Sequence, residues 1–348
     1  MTSADFRELV SGRRRGLAAS FLRGALRLAE APYTAAVQWR NRQYDRGGKS
    51  IERVGVPVVS VGNLTLGGTG KTPLVEWLAR WFRQREVRVA IVSRGYGAEA
   101  GSRNDEALEL EQKLPDVPHV QNPDRVAAAR LAIEEFESQV ILLDDAFQHR
   151  RIHRDLNIVL LDALEPFGFE HVFPRGTLRE PIGGLKRANV IALSRADMVD
   201  AAERARIKSV AQRFAPQAIW LECQHAPQAL QEADGQTAEL STLAGRPVAA
   251  FCGIGNPAGF RHTLGQSGFN VVELREFPDH HAYQRADVES LSTWADRLSV
   301  EAVLCTHKDL VKLGVSRLGN RPLWAVQIGL AITAGEEAFQ RRLEQVLA

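Results

Sequence analysis

The stretch "VPVVSVGNLTLGGTGKTPLVEWLA" (56–79) decides the fold. Its first residues, 56–61, form a short β-branched run, which predicts a buried parallel strand. Three glycines follow within four positions, and from Pro73 onward apolar residues recur at helical spacing, which predicts a helix over 71–84. A strand, a glycine-rich loop and a helix in this order are typical of a P-loop, so we predict a phosphate site here.

The residue types in this loop suit a triphosphate. Glycines let backbone N–H groups approach phosphate oxygens, and the start of the helix adds unpaired N–H groups and partial positive charge. Lys71 would reach the β- and γ-phosphates, and the Thr72 hydroxyl would bind Mg²⁺. The loop departs from the common P-loop pattern in one place, because Thr65 stands where the first glycine is expected. The predicted nucleotide-binding residues are Gly67, Gly68, Thr69, Gly70, Lys71 and Thr72.

A second apolar run, "QVILLDD" (139–145), ends in two aspartates. In a parallel sheet Asp144 and Asp145 would lie at the same edge as the phosphate loop, so one would hold Mg²⁺ or its water and the other would orient the site. Taken without the phosphate loop, the pair is equally consistent with a turn or a helix cap.

The rest of the chain predicts an α/β protein with a doubly wound P-loop core of α/β/α type, a second, smaller α/β domain and an N-terminal amphipathic helix. Core strands are expected at 56–61, 87–93, 139–144, 157–161 and 189–194, with further helices near 105–113 and 123–136. In the second domain we expect strands at 247–252, 269–274, 301–305 and 323–328, and helices near 256–266, 284–298 and 334–347. The predicted boundaries are 1–47 for the N-terminal segment, 48–223 for the nucleotide-binding domain, 224–246 for a connector and 247–348 for the smaller domain.

The N-terminal segment is basic, although the whole chain has a formal charge of only +2. Residues 1–50 contain ten Lys/Arg and four Asp/Glu. Leu17, Phe21, Ala25 and Leu28 would share one face of a helix over 10–45, which Pro32 should kink or split. Such a helix would lie in a membrane interface or pack on the core with its basic side in water.

Composition excludes several classes of protein. The 348 residues are enough for about two domains, and the three cysteines are far apart, which argues against a disulfide framework or a zinc site. No apolar run is long enough for a transmembrane helix, and no signal-peptide pattern is present. We expect neither a nucleic-acid partner nor an obligate protein partner.

Other segments supply candidate chemistry. Three cationic segments fall after core strands, which suits a site for several phosphates: "SRGYG" with Arg94, "QHRRIHR" (148–154) and "RGTLREP" (175–181) with Arg179. Each of them alone is more typical of a solvated charged loop. "FPDHHAY" (277–283) offers a histidine beside Asp279 as a general base, or a simple helix cap. "SRAD" (194–197) and "THKD" (306–309) are imperfect versions of the [NT]-K-x-D guanine reader of GTPases.

Taken together, the motifs resemble those of one family. "GNLTLGGTGKTP", "SRGYG", "NDEALEL", "LLDDAFQHRRIHRDLNIVLLDA", "FPRGTLREP", "FPDHHAY" and "CTHKDLVKL" occur in the order seen in the tetraacyldisaccharide 4′-kinases, the lipid A 4′-kinases. The threonine at 65 also matches that family. The resemblance runs from the N-terminus to about residue 313. The chain departs from it at "RNDEA" (103–107), where the family commonly has G-D-E-P.

The resemblance implies an activity. The family transfers the γ-phosphate of ATP, with Mg²⁺, to the 4′-hydroxyl of a tetraacyldisaccharide 1-phosphate in lipid A synthesis. It works as a peripheral protein at the cytoplasmic face of the inner membrane of Gram-negative bacteria, which favours the membrane interpretation of residues 10–45.

The resemblance also implies residue roles. Asp105 matches the carboxylate that activates the sugar hydroxyl, and His280 matches its histidine partner, with His281 as the alternative. Asp144 and Asp145 match the Walker B acids. Arg179 and Glu180 match the pair that assists the phosphates and the metal, and Gln148 and His149 match residues that line the site. Lys71 and Arg179 are therefore predicted to act in the reaction beside Asp105 and His280, and Thr72, Asp144, Asp145 and Glu180 are the predicted metal-site residues.

Two other functions remain as alternatives. A P-loop GTPase of the metallochaperone or targeting type also uses G-G-x-G-K-T loops, and nucleotide preference would distinguish it from a kinase. A non-catalytic membrane adaptor would use the basic helix, but it would not need Lys71, Thr72 and the paired aspartates together.

Overall fold

The computed structural model describes the chain from residue 3 onward, apart from residues 96–109, 112 and 280. The predictions for Asp105 and His280 therefore lie outside the described residues. The chain divides into two compact units, residues Met1–Gln224 with Ile332–Ala348, and residues His225–Ala331. The last segment belongs to the first unit, whereas the sequence assigned it to the C-terminal domain.

The first unit is built on a parallel sheet in the order β7-β6-β5-β1-β4-β2-β3. The chain moves from β1 toward β2 and β3 on one side and later places β5 on the other, so the strand order reverses beside β1. Ligands bind at such a point in open α/β sheets. Its strands are β1 (Val58–Asn63), β2 (Val89–Ser93), β3 (His119–Gln121), β4 (Val140–Asp144), β5 (Leu156–Asp162), β6 (Val190–Ser194) and the first half of β7 (Ile219–Gln231).

Helices cover this sheet through two apolar clusters, one of which contains Leu161, Leu193 and Ile207 and the other Val92, Ala129 and Leu143. The buried strands β1, β2, β4, β5 and β6 are predictable because strands buried on both faces are continuous apolar runs. The helices are α1 (Ser3–Val10), α2 (Leu17–Asp45), α3 (Lys71–Arg83), α4 (Arg125–Phe136), α5 (Ala201–Phe214) and α9 (Glu336–Leu347), with short 3₁₀ turns at Gly168–Glu170, Ile182–Arg187 and Ala196–Met198.

The second unit has its own parallel strands in the order β10-β9-β11-β13. Alternate residues of β9 face two clusters, with Phe251 in one and Val248 in the other, so this sheet is also buried on both faces. Its elements are β8 (Thr237–Ala238), a 3₁₀ turn at Leu240–Leu243, β9 (Pro247–Cys252), α6 (Pro257–Gln266), β10 (Asn270–Glu276), α7 (Arg285–Arg297), β11 (Ala302–Thr306), α8 (His307–Leu313), β12 (Arg317–Leu318) and β13 (Arg321–Ala334).

Some elements differ from the sequence predictions. Residues 224–231, predicted as the start of a connector, continue strand β7, and β3 was not predicted. The N-terminal segment forms two helices that break at 11–16, where Gly12 and Gly16 adopt positive φ angles of 78° and 121°. Pro32 does not split α2, which continues through it to Asp45.

The predicted apolar face of α2 is exposed rather than packed on the core. Leu17 is 93% exposed, Phe21 82% and Leu28 79%, and Ala25 is exposed as well. Among the described residues, no helix has the length and apolar character needed to cross a membrane. The exposed residues Leu17, Phe21, Ala25 and Leu28 are called the apolar stripe of α2 below.

Candidate active site

The loop after β1 has the backbone of a phosphate site. All six residues of β1 are buried, and the loop 64–70 connects it to α3. Gly67 and Gly70 have φ angles of 109° and 79°, a region in which a Cβ is disfavoured. Gly70 precedes α3 and provides no side-chain cap, so the first N–H groups of the helix remain available to an anion.

Thr65 occupies the position of the missing glycine without backbone strain. It does not have a positive φ, and it forms an isolated β-bridge with Leu178. The neighbouring Leu66 N–H donates to the Thr177 carbonyl at 2.7 Å. Because this half of the loop is extended and paired with another segment, a β-branched residue suits the position and glycine is not required.

Asp145 connects the phosphate loop to the segment 175–181, called the arginine loop below. Its carboxylate lies 3.5 Å from Lys71 Nζ and accepts hydrogen bonds from Arg179 Nη1 at 2.8 and 3.0 Å. Burial raises the pKa of Asp145, but Lys71 and Arg179 together lower it more, so the pKa lies below its usual value. The aspartate is therefore ionised at neutral pH. It is in contact with both Lys71 and Arg179, and the three residues were predicted from three separate segments of the sequence.

Asp144 ends β4, is only 8% exposed, and lies near a cation that the sequence analysis missed. Burial lowers the pKa of Arg125, and the neighbouring Arg94 lowers it further. Asp145 and Asp144 raise the pKa of Arg125. Arg125, Arg94 and both aspartates are thus close enough to interact electrostatically. Arg125 is the first residue of α4, where a cation opposes the helix dipole, and that unusual position was the available signal.

Glu180 is the centre of a buried hydrogen-bond network. It is 1% exposed, and its carboxylate accepts from Arg187 Nη2 at 2.7 Å, Asn41 Nδ2 at 2.9 Å and Gln148 Nε2 at 3.2 Å. Gln148 also donates to the Asn63 carbonyl at the end of β1, at 2.9 Å. The described contacts of Glu180 therefore connect α2, β1 and the arginine loop.

Helix α2 contacts the same loops at several other points. Tyr33 donates through its hydroxyl to the Arg179 carbonyl at 3.3 Å, and Glu30 accepts from Val172 N at 3.0 Å. Arg150 donates to the Asn41 carbonyl at 2.9 Å and to Asp45 at 2.7 Å. From α1, Arg7 reaches the phosphate loop, because a Cβ on Gly67 would lie 2.6 Å from its Nη2.

His149 is neutral near pH 7 in this environment. Burial, with Arg125 and Arg154 nearby, lowers its pKa to about 4. A protonated imidazole would add positive charge to a region that already contains several arginines. His149 therefore suits a hydrogen-bonding role rather than a cationic one.

The predicted histidine loop lies in the second unit. His281 Nε2 is 3.1 Å from Asp287 Oδ2, and the same carboxylate accepts from Gln284 N at 2.8 Å at the start of α7. His281 is therefore engaged in the cap of this helix. Asp309 of "THKD" is fully buried and accepts from Gly253 N, Tyr283 Oη and Thr306 Oγ1. It holds loops of this unit together and is not available to a nucleobase.

Comparison with known proteins identifies the family of this chain. The model of the family described as tetraacyldisaccharide-1-P 4′-kinase matches residues 22–348. The tetraacyldisaccharide 4′-kinase of Anaeromyxobacter sp. strain K is 39% identical, covering 93% of this chain and 90% of the relative. That of Geobacter sulfurreducens is 35% identical, covering 92% of each.

A solved structure is also similar over most of the chain. The crystal structure of LpxK from Aquifex aeolicus in complex with ATP has a TM-score of 0.72 and 29% identity, and it covers 94% of this chain and 100% of its own. The family match covers the phosphate loop, the paired aspartates and the Glu180 network. This chain belongs to the tetraacyldisaccharide-1-phosphate 4′-kinase family.

Proposed function

We propose that this protein transfers the γ-phosphate of ATP to the 4′-hydroxyl of a tetraacyldisaccharide 1-phosphate. The observation that carries the proposal is the contact of Lys71, Asp145 and Arg179 beside a glycine loop in a member of this kinase family. Phosphoryl transfer depends mainly on positioning and on neutralising phosphate charge. Two cations held by one partly exposed aspartate supply both.

In this proposal residues 67–72, the end of the loop and the start of α3, bind the triphosphate through their N–H groups, and Lys71 neutralises charge on the β- and γ-phosphates. Arg179 is held by Asp145, so its remaining N–H groups are oriented before the nucleotide arrives. Arg125 adds positive charge at the same edge. Asp105 would accept the proton of the sugar hydroxyl, and His280 would orient it, because His281 is engaged with Asp287.

The donors around this edge suit Mg²⁺, which prefers oxygen ligands and usually combines one or two carboxylates with substrate phosphates. The described residues contain no cluster of three or more His, Cys, Asp or Glu that would hold a metal alone. We assign the metal to the Thr72 hydroxyl and Asp144. Asp145 is occupied by two cations and Glu180 by three donors, so we assign them to orienting roles. Mg²⁺ would neutralise charge on the transferred phosphate.

The test is phosphate transfer from γ-labelled ATP and, separately, γ-labelled GTP, with Mg²⁺, to a detergent-dispersed tetraacyldisaccharide 1-phosphate. We expect labelled lipid with ATP. Release of phosphate from GTP without labelled lipid would contradict the proposal and favour the GTPase alternative.

We further propose that the protein binds the cytoplasmic face of the inner membrane through α2. The apolar stripe is exposed, and Arg23 and Arg27 lie on the opposite side of the helix. These arginines, with Arg175 and His171, line a cavity of about 290 Å³ beside the helix. An exposed apolar stripe on a basic amphipathic helix suits an interface that contains acyl chains and anionic headgroups.

Vesicle flotation tests this second proposal. A triple variant of the stripe should weaken binding to anionic vesicles roughly ten- to a hundredfold, because each substituted side chain loses a buried apolar contact with the membrane. The variant combines Leu17→Ser, Phe21→Ser and Leu28→Ser. Leu131→Ser with Phe136→Ser is a control, since both residues are about half exposed on α4. Equal loss in the two variants, or no loss in the first, would contradict membrane binding through the stripe.

A further inference from the structure

The segment "SRAD" (194–197) is not used by the proposed reaction, yet it contacts the phosphate loop. Ser194 ends β6, is 1% exposed, and donates through its hydroxyl to the Thr69 carbonyl at 2.8 Å. Arg195 Nη2 donates to the Gly68 carbonyl at 2.9 Å. Two consecutive residues thus bind two consecutive carbonyls of the loop, from a strand more than a hundred residues away in the chain.

Arg195 is itself fixed in place. The same Nη2 lies 2.5 Å from Asp162 Oδ2 at the end of β5, and both side chains are nearly buried, at 13% and 15% exposure. Burial raises the pKa of Asp162 above its usual value, although Arg195 beside it acts in the opposite direction. Arg195 also has a left-handed backbone with a φ of 55°, which is unfavourable for a long side chain. A strained residue in a buried ion pair persists because surrounding contacts hold it.

Holding a carbonyl also sets the direction of an N–H group. In a trans peptide the carbonyl of one residue and the N–H of the next lie in one plane and point in opposite directions. When Arg195 binds the Gly68 carbonyl, the Thr69 N–H points away from β6, and when Ser194 binds the Thr69 carbonyl, the Gly70 N–H does the same. Successive N–H groups turned to one side form an anion-binding nest.

We propose that Ser194 and Arg195 are positioning residues of the triphosphate site, which aim the N–H groups of Gly70 and Thr69 at the nucleotide phosphates. The inference goes beyond the proposed function and requires only that the phosphate loop binds a nucleoside triphosphate. It also replaces the interpretation of "SRAD" as a nucleobase reader. A residue that acts on phosphates changes the binding of ATP, GTP and inorganic tripolyphosphate alike, whereas a base reader changes the ratio between the nucleotides.

The experiment measures equilibrium binding of ATP, GTP and inorganic tripolyphosphate to the full-length protein, without lipid substrate. The test variants are Ser194→Ala and the double variant Arg195→Met with Asp162→Asn. The double variant avoids leaving a buried aspartate without its cation, which would destabilise the fold by itself. Arg204→Met is the matched control, because Arg204 donates to the Val199 and Ala196 carbonyls of the same segment.

For Ser194→Ala we expect roughly three- to tenfold weaker binding of all three ligands, the effect of one neutral hydrogen bond. For the double variant we expect roughly ten- to a hundredfold, because the lost bond is charge-assisted. Arg204→Met should lower the melting temperature and leave the three dissociation constants within about twofold of the parent, as expected for a residue outside the site.

If the parent binds ATP and both test variants keep its dissociation constants, this inference is refuted, but the proposed function is not. A changed ratio of ATP to GTP affinity with unchanged tripolyphosphate binding would refute it in favour of a nucleobase contact. A parent that binds neither ATP nor tripolyphosphate would refute the proposed function and this inference together.

Discussion

Replacing Glu180 by glutamine should destabilise the fold without changing the Mg²⁺ requirement. The carboxylate is 1% exposed and accepts from Arg187, Asn41 and Gln148, and Arg187 is itself only 11% exposed. Removing one charge of a buried pair costs about 3–5 kcal/mol, because the other charge remains buried without compensation. In a domain of about 150–250 residues, each kcal/mol lowers the melting temperature by roughly 2–4 °C, so we expect a loss of about 6–20 °C.

The assay combines thermal unfolding with the Mg²⁺ concentration that gives half-maximal kinase activity. Glu76→Gln is the matched control, since Glu76 is also buried and is bonded to two cations, Arg80 and Lys113. Both glutamate variants should melt early and keep the parent's Mg²⁺ requirement, whereas Asp144→Asn should raise it. A Glu180→Gln protein that melts with the parent and needs at least about tenfold more Mg²⁺ would refute the orienting role and restore Glu180 as a metal ligand.

Three further predictions concern the reaction and its pH dependence. Lys71→Ala should abolish turnover and leave the melting temperature nearly unchanged; near-normal turnover would contradict the phosphate-loop assignment. Asp105→Ala should lower turnover by roughly 10²–10⁴-fold while ATP still binds; collapse of ATP affinity would show a structural or metal role instead. The folded-state pKa of His149 is lowered from 6.5 to about 4, so the unfolded chain binds more protons between these values and stability should fall as the pH drops through this window. His149→Gln should lose less stability over the same window in denaturant unfolding, and an equal loss would exclude His149 as the cause.

The local parts of the fold and site were predictable from the sequence. Strand β1, the glycine loop and α3 follow from neighbouring residues, because each depends on periodicity and on backbone freedom at glycine. Strand β3 has only three half-buried residues and therefore gives no apolar run. Strand β7 contains Pro227 and loses apolar density after Gln224, which favoured a connector over a strand.

Other features depend on tertiary contacts that no local pattern carries. The hydrogen-bond network of Glu180 and the contact of Arg195 with the phosphate loop join segments that are far apart in the chain. In the sequence, a single Arg or Glu is typical of a solvated surface. Pro32 was expected to break α2, but it and Leu28 lie on the exposed side of the helix. The carbonyl of Leu28, freed by the proline, can there be solvated instead of buried.

The contacts of α2 with Glu180, the Arg179 carbonyl and Val172 bear on how the protein is handled in the laboratory. Truncating the N-terminus is a usual way to remove a segment proposed to bind membranes, but here it would also remove Asn41 from a buried carboxylate and Tyr33 from the arginine loop. The outward side of the helix can be made polar while its inward side is kept. Variants that test the membrane proposal should therefore be made by substitution within residues 17–28, with the full length of the helix retained.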